Sequence, residues 1–329
     1  MRQIRQAINN SDLERFRFYF QIVAFGLLIY GGLLELNLGS HLPTFACPFG
    51  ESSGGICYIF RLQHQLNIPF KQLITGRGLG ILIGLLTFAA LFIAFNKAWC
   101  GFICPVGTIQ DCISRVRKRL NVRYSEYSEK EFKRLKKIKY ILLALLILIP
   151  LGMSNSIAGL PKLSHEYYTA FCMLCPGRTT LPLFTGDIGQ LAIDFSSKTK
   201  MVLTTLGMIV FGMFFAGAFV KKRFICFFCP MSALHYAFSK ASILRLTKTG
   251  EKCTRCGNCY RVCDVGIREI ADDVTSKNIV KDDCMMCFKC VGACPEEKCL
   301  KVTLLGTSLY ESTEEGFFKR MEGRKINGD

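Results

Sequence analysis

The chain is poor in the residues on which several common chemistries depend. Its 329 residues include four histidines, His41, His64, His165 and His235, and all four lie in loops or flanks. A haem embedded in a membrane needs histidines inside the apolar spans, so no haem is expected. No Rossmann fingerprint is present, and no P-loop either. The run Gly76-Arg-Gly-Leu-Gly80 opens an apolar helix and forms no phosphate cradle. No side chain stands out as a general acid or base for hydrolytic or group-transfer work. Acidic residues are outnumbered 25 to 42 by lysine and arginine, for a formal charge of +17. The first apolar run lacks a small-residue cleavage site, so residues 1–17, with Arg2, Arg5, Arg15 and Arg17, are expected to be a polar flank rather than a secretory leader.

Cysteine is abundant: there are eighteen. Cys253-x2-Cys256-x2-Cys259-x3-Cys263 is followed by Cys284-x2-Cys287-x2-Cys290-x3-Cys294-Pro295. A thiolate at every third residue lets a short loop wrap one corner of an iron–sulfur cube, and the distal cysteine of each run serves the other cluster. The spacing therefore predicts one [4Fe-4S] cluster on Cys253, Cys256, Cys259 and Cys294, and a second on Cys284, Cys287, Cys290 and Cys263. Paired zinc sites also use Cys-x2-Cys, but they place two pairs across a longer spacer rather than four cysteines in one run. Asp264 stands where the first run would ordinarily have proline, a position that carries no ligand. Such thiolates need reducing conditions, so this end of the chain is expected in the cytoplasm.

Half of the residues are hydrophobic, and the apolar ones gather into four stretches. Residues 18–36, 78–95, 140–158 and 201–220 each approach the roughly 20 residues that a bilayer core requires. The loops carry their charge unevenly. The segment 96–139 has twelve Lys/Arg, against three in 37–77 and four in 159–200, and Lys221, Lys222 and Arg223 follow the last span. The positive-inside rule then puts both termini and the middle loop in the cytoplasm, with 37–77 and 159–200 outside. Basic loops between spans read as contacts to lipid headgroups, and no nucleic-acid partner is expected.

The membrane part repeats. Each half runs span, outer loop with Cys-Pro, span, inner Cys-Pro motif, amphipathic segment. Cys47-Pro48 and Cys100-Gly-Phe-Ile-Cys104-Pro105 belong to the first half, Cys172-Met-Leu-Cys175-Pro176 and Cys226-Phe-Phe-Cys229-Pro230 to the second. Cys47 and Cys104 are 57 residues apart, Cys175 and Cys229 54. Tandem units of this kind are expected to meet, with Cys100, Cys104, Cys226 and Cys229 at the inner face and Cys47, Cys57, Cys172 and Cys175 at the outer. The inner four read as cluster ligands or reactive thiols, with inert burial as the bland alternative. For the outer four a redox or metal site, disulfides and plain burial stay open. Cys112 and Cys299 are left over as structural cysteines. Residues 231–246 mix apolar residues with Lys240 and Arg245 and predict an interfacial helix.

The ferredoxin runs, the segment 99–107 (WCGFICPVG), the segment 222–230 (KRFICFFCP) and the outer 47–50 (CPFG) together resemble the NapH/NosR-type polytopic membrane iron–sulfur proteins. The resemblance covers about residues 18–302. It implies quinol dehydrogenases or related electron-transfer subunits, with a copper-reducing oxidase assembly factor among the relatives. The chain departs from the family in two respects. Two residues rather than three separate Cys226 and Cys229, and no extracytoplasmic flavin domain is present, so no flavin is expected.

The reading is therefore a mainly α, polytopic membrane protein, with about four transmembrane helices in two tandem pseudo-repeats and a C-terminal two-cluster ferredoxin-like α+β domain. The boundaries are 1–17 for the flank, 18–120 and 140–246 for the repeats, 121–139 for a basic linker, 247–305 for the ferredoxin and 306–329 for a polar tail. The expected protein sits in a bacterial or archaeal inner membrane as an oxidoreductase subunit. It relays electrons between the quinone pool, or an outer-face partner, and a redox partner through two [4Fe-4S] clusters, with a further cluster possible at the Cys-Pro motifs. The alternative is a maturation factor that reduces a metal or thiol for a client enzyme. A membrane anchor that senses redox state is the third.

Overall fold

The computed structural model describes residues 13–36, 47, 53–66, 76–125, 127–154, 170–239, 241–280 and 283–326. His41, His165, Arg2, Arg5, Pro48 and the end of the third expected span, 155–158, lie outside the described residues.

Helices carry the chain up to residue 239. In order they are α1 (Leu13–Tyr30), α2 (Tyr58–Leu66), α3 (Gly76–Phe95), α4 (Ala98–Phe102), α5 (Pro105–Arg119), α6 (Glu129–Ser154), α7 (Ala170–Leu174), α8 (Pro176–Leu183), α9 (Lys198–Val220) and α10 (Pro230–Ser239). Among the described residues three segments are long and apolar enough to cross a membrane: Leu13–Leu34, Gly78–Phe95 and Lys198–Val220. The third expected span falls in the second half of α6, which is not among these three. Its first turn is set by a capping box. The Ser128 backbone N–H donates to Glu131 Oε2 at 3.0 Å, and the Glu131 N–H donates to Ser128 Oγ at 3.2 Å. Ile141, Leu145, Leu148 and Ile149 of α6 are exposed at helical spacing, and so are Val202, Leu206, Ile209 and Met213 of α9. Apolar stripes of this kind suit a lipid surface.

The described residues divide into two compact units. One holds those within 22–90 and 104–234, the other those within 1–21, 91–103 and 235–329. The core of the first is Ile29, Ile109, Leu181 and Phe214, with Cys47, Val106 and Ile225 packed against it. There α9 touches α5, α7 and α8, while α2 lies on α6.

The second unit is built on a three-stranded antiparallel sheet in the order β1 (Leu244–Lys248), β2 (Leu300–Leu304), β3 (Thr307–Glu311). Leu246 pairs with Val302 and Lys248 with Leu300, all of them buried. The interfacial helix expected over 231–246 therefore ends early. Residues 244–248 (LRLTK) alternate in burial, the period of a half-buried strand, and β2 completes their hydrogen bonding. The stretch read as a polar tail also folds, into β3 and a helix over Glu314–Ile326. Short helices at Asn258–Arg261, Glu269–Asp272 and Lys289–Gly292 fill the space between β1 and β2 in the chain.

Candidate iron–sulfur sites

In the ferredoxin unit the two cysteine runs fold into matching loops. Arg255 and Met286, one residue before the second cysteine of each run, take φ values of 55° and 53°, and Gly257 and Phe288, one residue after it, take 76° and 60°. Left-handed backbone is costly for arginine, methionine and phenylalanine, on the order of 1–3 kcal/mol each. It turns successive N–H groups toward one side, which makes a concavity for anionic sulfur. The Met286 N–H reaches Cys284, and the Val265 and Ile267 N–H groups reach Cys263.

The eight thiols surround two cavities. Cys253, Cys256, Cys259 and Cys294 line the first, about 320 Å³ of partly open space, together with Lys248 and Cys299. Cys263, Cys284, Cys287 and Cys290 line the second, about 350 Å³, with Leu246 and Ile267. Each cavity thus takes three cysteines from one run and the last cysteine of the other. Burial pushes the Cys263 thiol up to about 11 and Cys284 up to about 12, and raises Cys290 as well. Protonated, these thiols are poor ligands and poor nucleophiles, whereas a bound cation or cluster supplies the charge that deprotonates them. Among the described residues no three His, Cys, Asp or Glu side chains converge as ligands of a single ion. Four thiols about each cavity are the donor set that a [4Fe-4S] cluster takes.

Cations stand beside both cavities. The buried Lys248 donates to the Ile270 and Ala271 carbonyls at 2.9 and 3.0 Å, and its charge acts on Cys259. Asp264, the residue in place of proline, is 7% exposed and pairs with Lys289 at 2.8 Å and with Arg17 at 3.9 Å. Its role is to tie the first loop to Lys289 of the second and to the start of α1.

Cys100 and Gly101 belong to the ferredoxin unit, Cys104 to the membrane unit. The Gly101 carbonyl accepts hydrogen bonds from Arg17 Nη1 at 3.1 Å and Gln21 Nε2 at 2.9 Å. A methyl at Gly101 would stand 2.5 Å from the Met285 carbonyl oxygen, so only glycine allows this approach to the second cluster loop. Gly101→Ala is therefore expected to cost about 1–3 kcal/mol. It should also deplete iron from the second cavity before the first, as read by thermal unfolding and iron analysis.

Cys100 Sγ lies 3.1 Å from His235 Nδ1. His235 is 1% exposed and stacks on Phe92 at 3.7 Å. Burial and the charge of Lys97 lower its pKa well below the ordinary value. A lone histidine in an amphipathic stretch gives no sequence signal, and only its place one turn after Cys229-Pro230 hints at a role.

In the membrane unit Cys104 and Cys175 each stand at the cap of a helix that opens with proline, α5 and α8. Proline at the first helical position loses no hydrogen bond and fixes φ for the turn. Cys104 lies within electrostatic reach of Cys226, and burial pushes its thiol up to about 11. Arg223 stands beside both thiols and forms a buried ion pair with Asp111 at 2.5 Å. Gln110 Oε1 accepts the Ile225 N–H at 3.2 Å, which holds the second Cys-Pro loop to α5. Cys172 lies within electrostatic reach of Cys57, Cys175 and Cys47. Cys57 also feels Cys104.

Comparison with known proteins gives the same chemistry. The family model described as a 4Fe-4S binding domain matches twice, at residues 77–123 and 203–247, the stretches that hold the two inner Cys-Pro motifs. The 4Fe-4S dicluster domain matches residues 245–295. The chain is 24% identical to YccM of Escherichia coli, which is named an electron transport protein, over 78% of this chain and 66% of that one. It is 22% identical to the ferredoxin-type protein NapH of E. coli, over 62% of this chain and 61% of NapH. With NapH of Haemophilus influenzae the figures are 23%, 64% and 65%. The chain spans about two thirds or less of the length of each of these relatives. No solved structure matches it.

Proposed function

We propose, from the chain's resemblance to the NapH-type 4Fe-4S proteins, that it carries electrons one at a time between the membrane quinone pool and a protein redox partner. The observation that supports this best is the division of eight cysteines, four and four, around two cavities of one small unit. In this reading Cys253, Cys256, Cys259 and Cys294 hold one [4Fe-4S] cluster and Cys263, Cys284, Cys287 and Cys290 the other. Bound there, a cluster supplies a one-electron carrier with a potential set by burial, local charge and hydrogen bonds to sulfur. The chain's own residues do the tuning. Lys248 near Cys259 and Lys97 near Cys284 favour the more negative, reduced state. The backbone N–H groups of the left-handed loops act in the same direction.

Cys104 and Cys226 form the membrane-side station of the relay. Turnover with a quinol analogue tests it. Cys104→Ser is expected to stop electron flow from quinol while dithionite still reduces the ferredoxin clusters. A Cys104→Ser protein with full quinol-driven transfer would remove these thiols from the path. The runner-up is a maturation factor that reduces a metal ion or disulfide for a client enzyme. It is supported by the thiols within reach of one another in the membrane unit, and stoichiometric metal reduction without quinol turnover would favour it.

The orientation is part of the proposal. Four spans, with α6 supplying the third, put both termini and the basic segment around Arg123 in the cytoplasm. Reporter fusions at Gly55, Arg123 and Asp187 should read outside, inside and outside. An outward Arg123 contradicts that arrangement.

A further inference from the structure

Arg117 is a buried cation to which neither of the helices around it supplies an anion. It lies in the last turn of α5 and is 1% exposed. Its Nε and Nη1 atoms have no hydrogen-bond partner among the described residues. The one acidic residue of α5, Asp111, is taken up by Arg223, and α9 has none. A charge removed from water with its donors unmatched is strongly disfavoured. A guanidinium held in this way marks a place for an anion that accepts from its N–H fork.

The place is built from the membrane unit alone. The Tyr124 ring lies against the guanidinium, with its centroid 3.5 Å from Arg117 Cζ, and the Phe219 ring of α9 lies 5.8 Å away. Tyr124 is clamped to α5: its O–H donates to Ser114 Oγ at 2.6 Å, and Ser114 Oγ donates to the Gln110 carbonyl at 2.9 Å. The next residue is tied to the end of α9, where the Ser125 N–H donates to the Val220 carbonyl at 3.1 Å. Lys222 Nζ, 5.2 Å from the same Tyr124 centroid, adds a second cation. A guanidinium stacked on an aromatic face keeps its orientation and presents its edge to a phosphate.

The setting selects the source of that phosphate. α9 is one of the segments long and apolar enough to cross a membrane, and the site stands at its last residues, the level at which headgroups begin. Val116, Leu120 and Val220 are exposed around it, an apolar rim that suits acyl chains and gives a soluble anion nothing. A quinone carbonyl would accept from the N–H groups but leave the charge uncompensated. We propose that Arg117 and Lys222, held on Tyr124, bind the phosphate of an anionic phospholipid at the end of α9. The inference rests on the membrane reading and not on electron transfer, so its failure leaves the clusters untouched, and theirs leaves it standing.

The test is lipid binding to delipidated, full-length protein in detergent, read by native mass spectrometry and by the thermal midpoint. Phosphatidylglycerol should bind roughly tenfold or more tighter than phosphatidylcholine and should raise the midpoint, while inorganic phosphate should not raise it. Arg117→Gln should weaken phosphatidylglycerol binding about tenfold, as loss of charge-assisted hydrogen bonds does. Lys222→Gln should weaken it about fivefold. Lys130→Gln, which removes an exposed cation at the start of α6, should bind like the wild type. Equal affinity for the two lipids overturns the proposal, and so does unchanged binding in Arg117→Gln. Should Arg117→Gln fail to fold, Lys222→Gln decides, and unchanged binding there overturns it as well. Stabilisation by inorganic phosphate to the same extent would mean a soluble anion, and stabilisation by decylubiquinone without phosphatidylglycerol would mean a quinone; either result also overturns it.

Discussion

Cys294→Ala is expected to strip the first cluster, not the cluster of its own run. Cys294 follows Cys284, Cys287 and Cys290 in sequence, yet it lines the cavity of Cys253, Cys256 and Cys259. Cys263 makes the reverse crossing. The cause is the three-residue gap before the last cysteine. A short helix, Asn258–Arg261 in one run and Lys289–Gly292 in the other, carries the chain away from its own loop before the fourth thiol. Cys294→Ala should therefore lose about half of the ferredoxin iron, and the lost signal should match the one removed by Cys253→Ala. Cys263→Ala should remove the complementary signal. Cys299 stands next to Cys294, and its thiol holds the Cys294 thiol below the usual range. Partial retention of the first cluster in Cys294→Ala, abolished by adding Cys299→Ala, would show that Cys299 substitutes as a ligand. A Cys294→Ala protein that lost only the second cluster would contradict the crossed arrangement.

The second large effect concerns Arg223. Its guanidinium is 2% exposed and pairs with Asp111, itself 10% exposed, between α5 and the second inner Cys-Pro loop. Removing one partner of a buried pair leaves an uncompensated charge, at a cost of about 3–5 kcal/mol. Arg223→Met should therefore lower the thermal midpoint sharply in detergent or nanodiscs. Asp111→Leu/Arg223→Met removes both charges and should recover most of the loss. A double variant as unstable as the single one would mean that the arginine matters for the neighbouring thiols rather than for the pair. Arg223 lies beside Cys104 and Cys226, so iron content should be read on the same samples.

The ferredoxin was legible because ligand chemistry dictates spacing. Cysteines three apart that wrap a cube corner are written directly in the sequence, and so is the crossing of Cys263 and Cys294. Asp264 was not legible. Its position suggested only a weakened turn, and its partners Lys289 and Arg17 are 25 and 247 residues away. The strand at 244–248 was mistaken for helix because five residues with two cations also fit an amphipathic helix. Only β2, more than fifty residues on, decides the period. The apolar spans read well by composition. The place of α8 beside α5 did not, since nothing local in either segment sets a contact between helices so far apart in the chain. His235 was missed for want of any local signal, because its partners Cys100 and Phe92 lie far away in sequence.

The claim that this chain carries electrons on two ferredoxin clusters is tested most directly by metal and sulfide analysis of the full-length protein purified without oxygen. The account predicts at least eight iron and eight acid-labile sulfide per chain, with EPR signals of [4Fe-4S] clusters on reduction by dithionite. Stoichiometric zinc with little iron and no labile sulfide would contradict it.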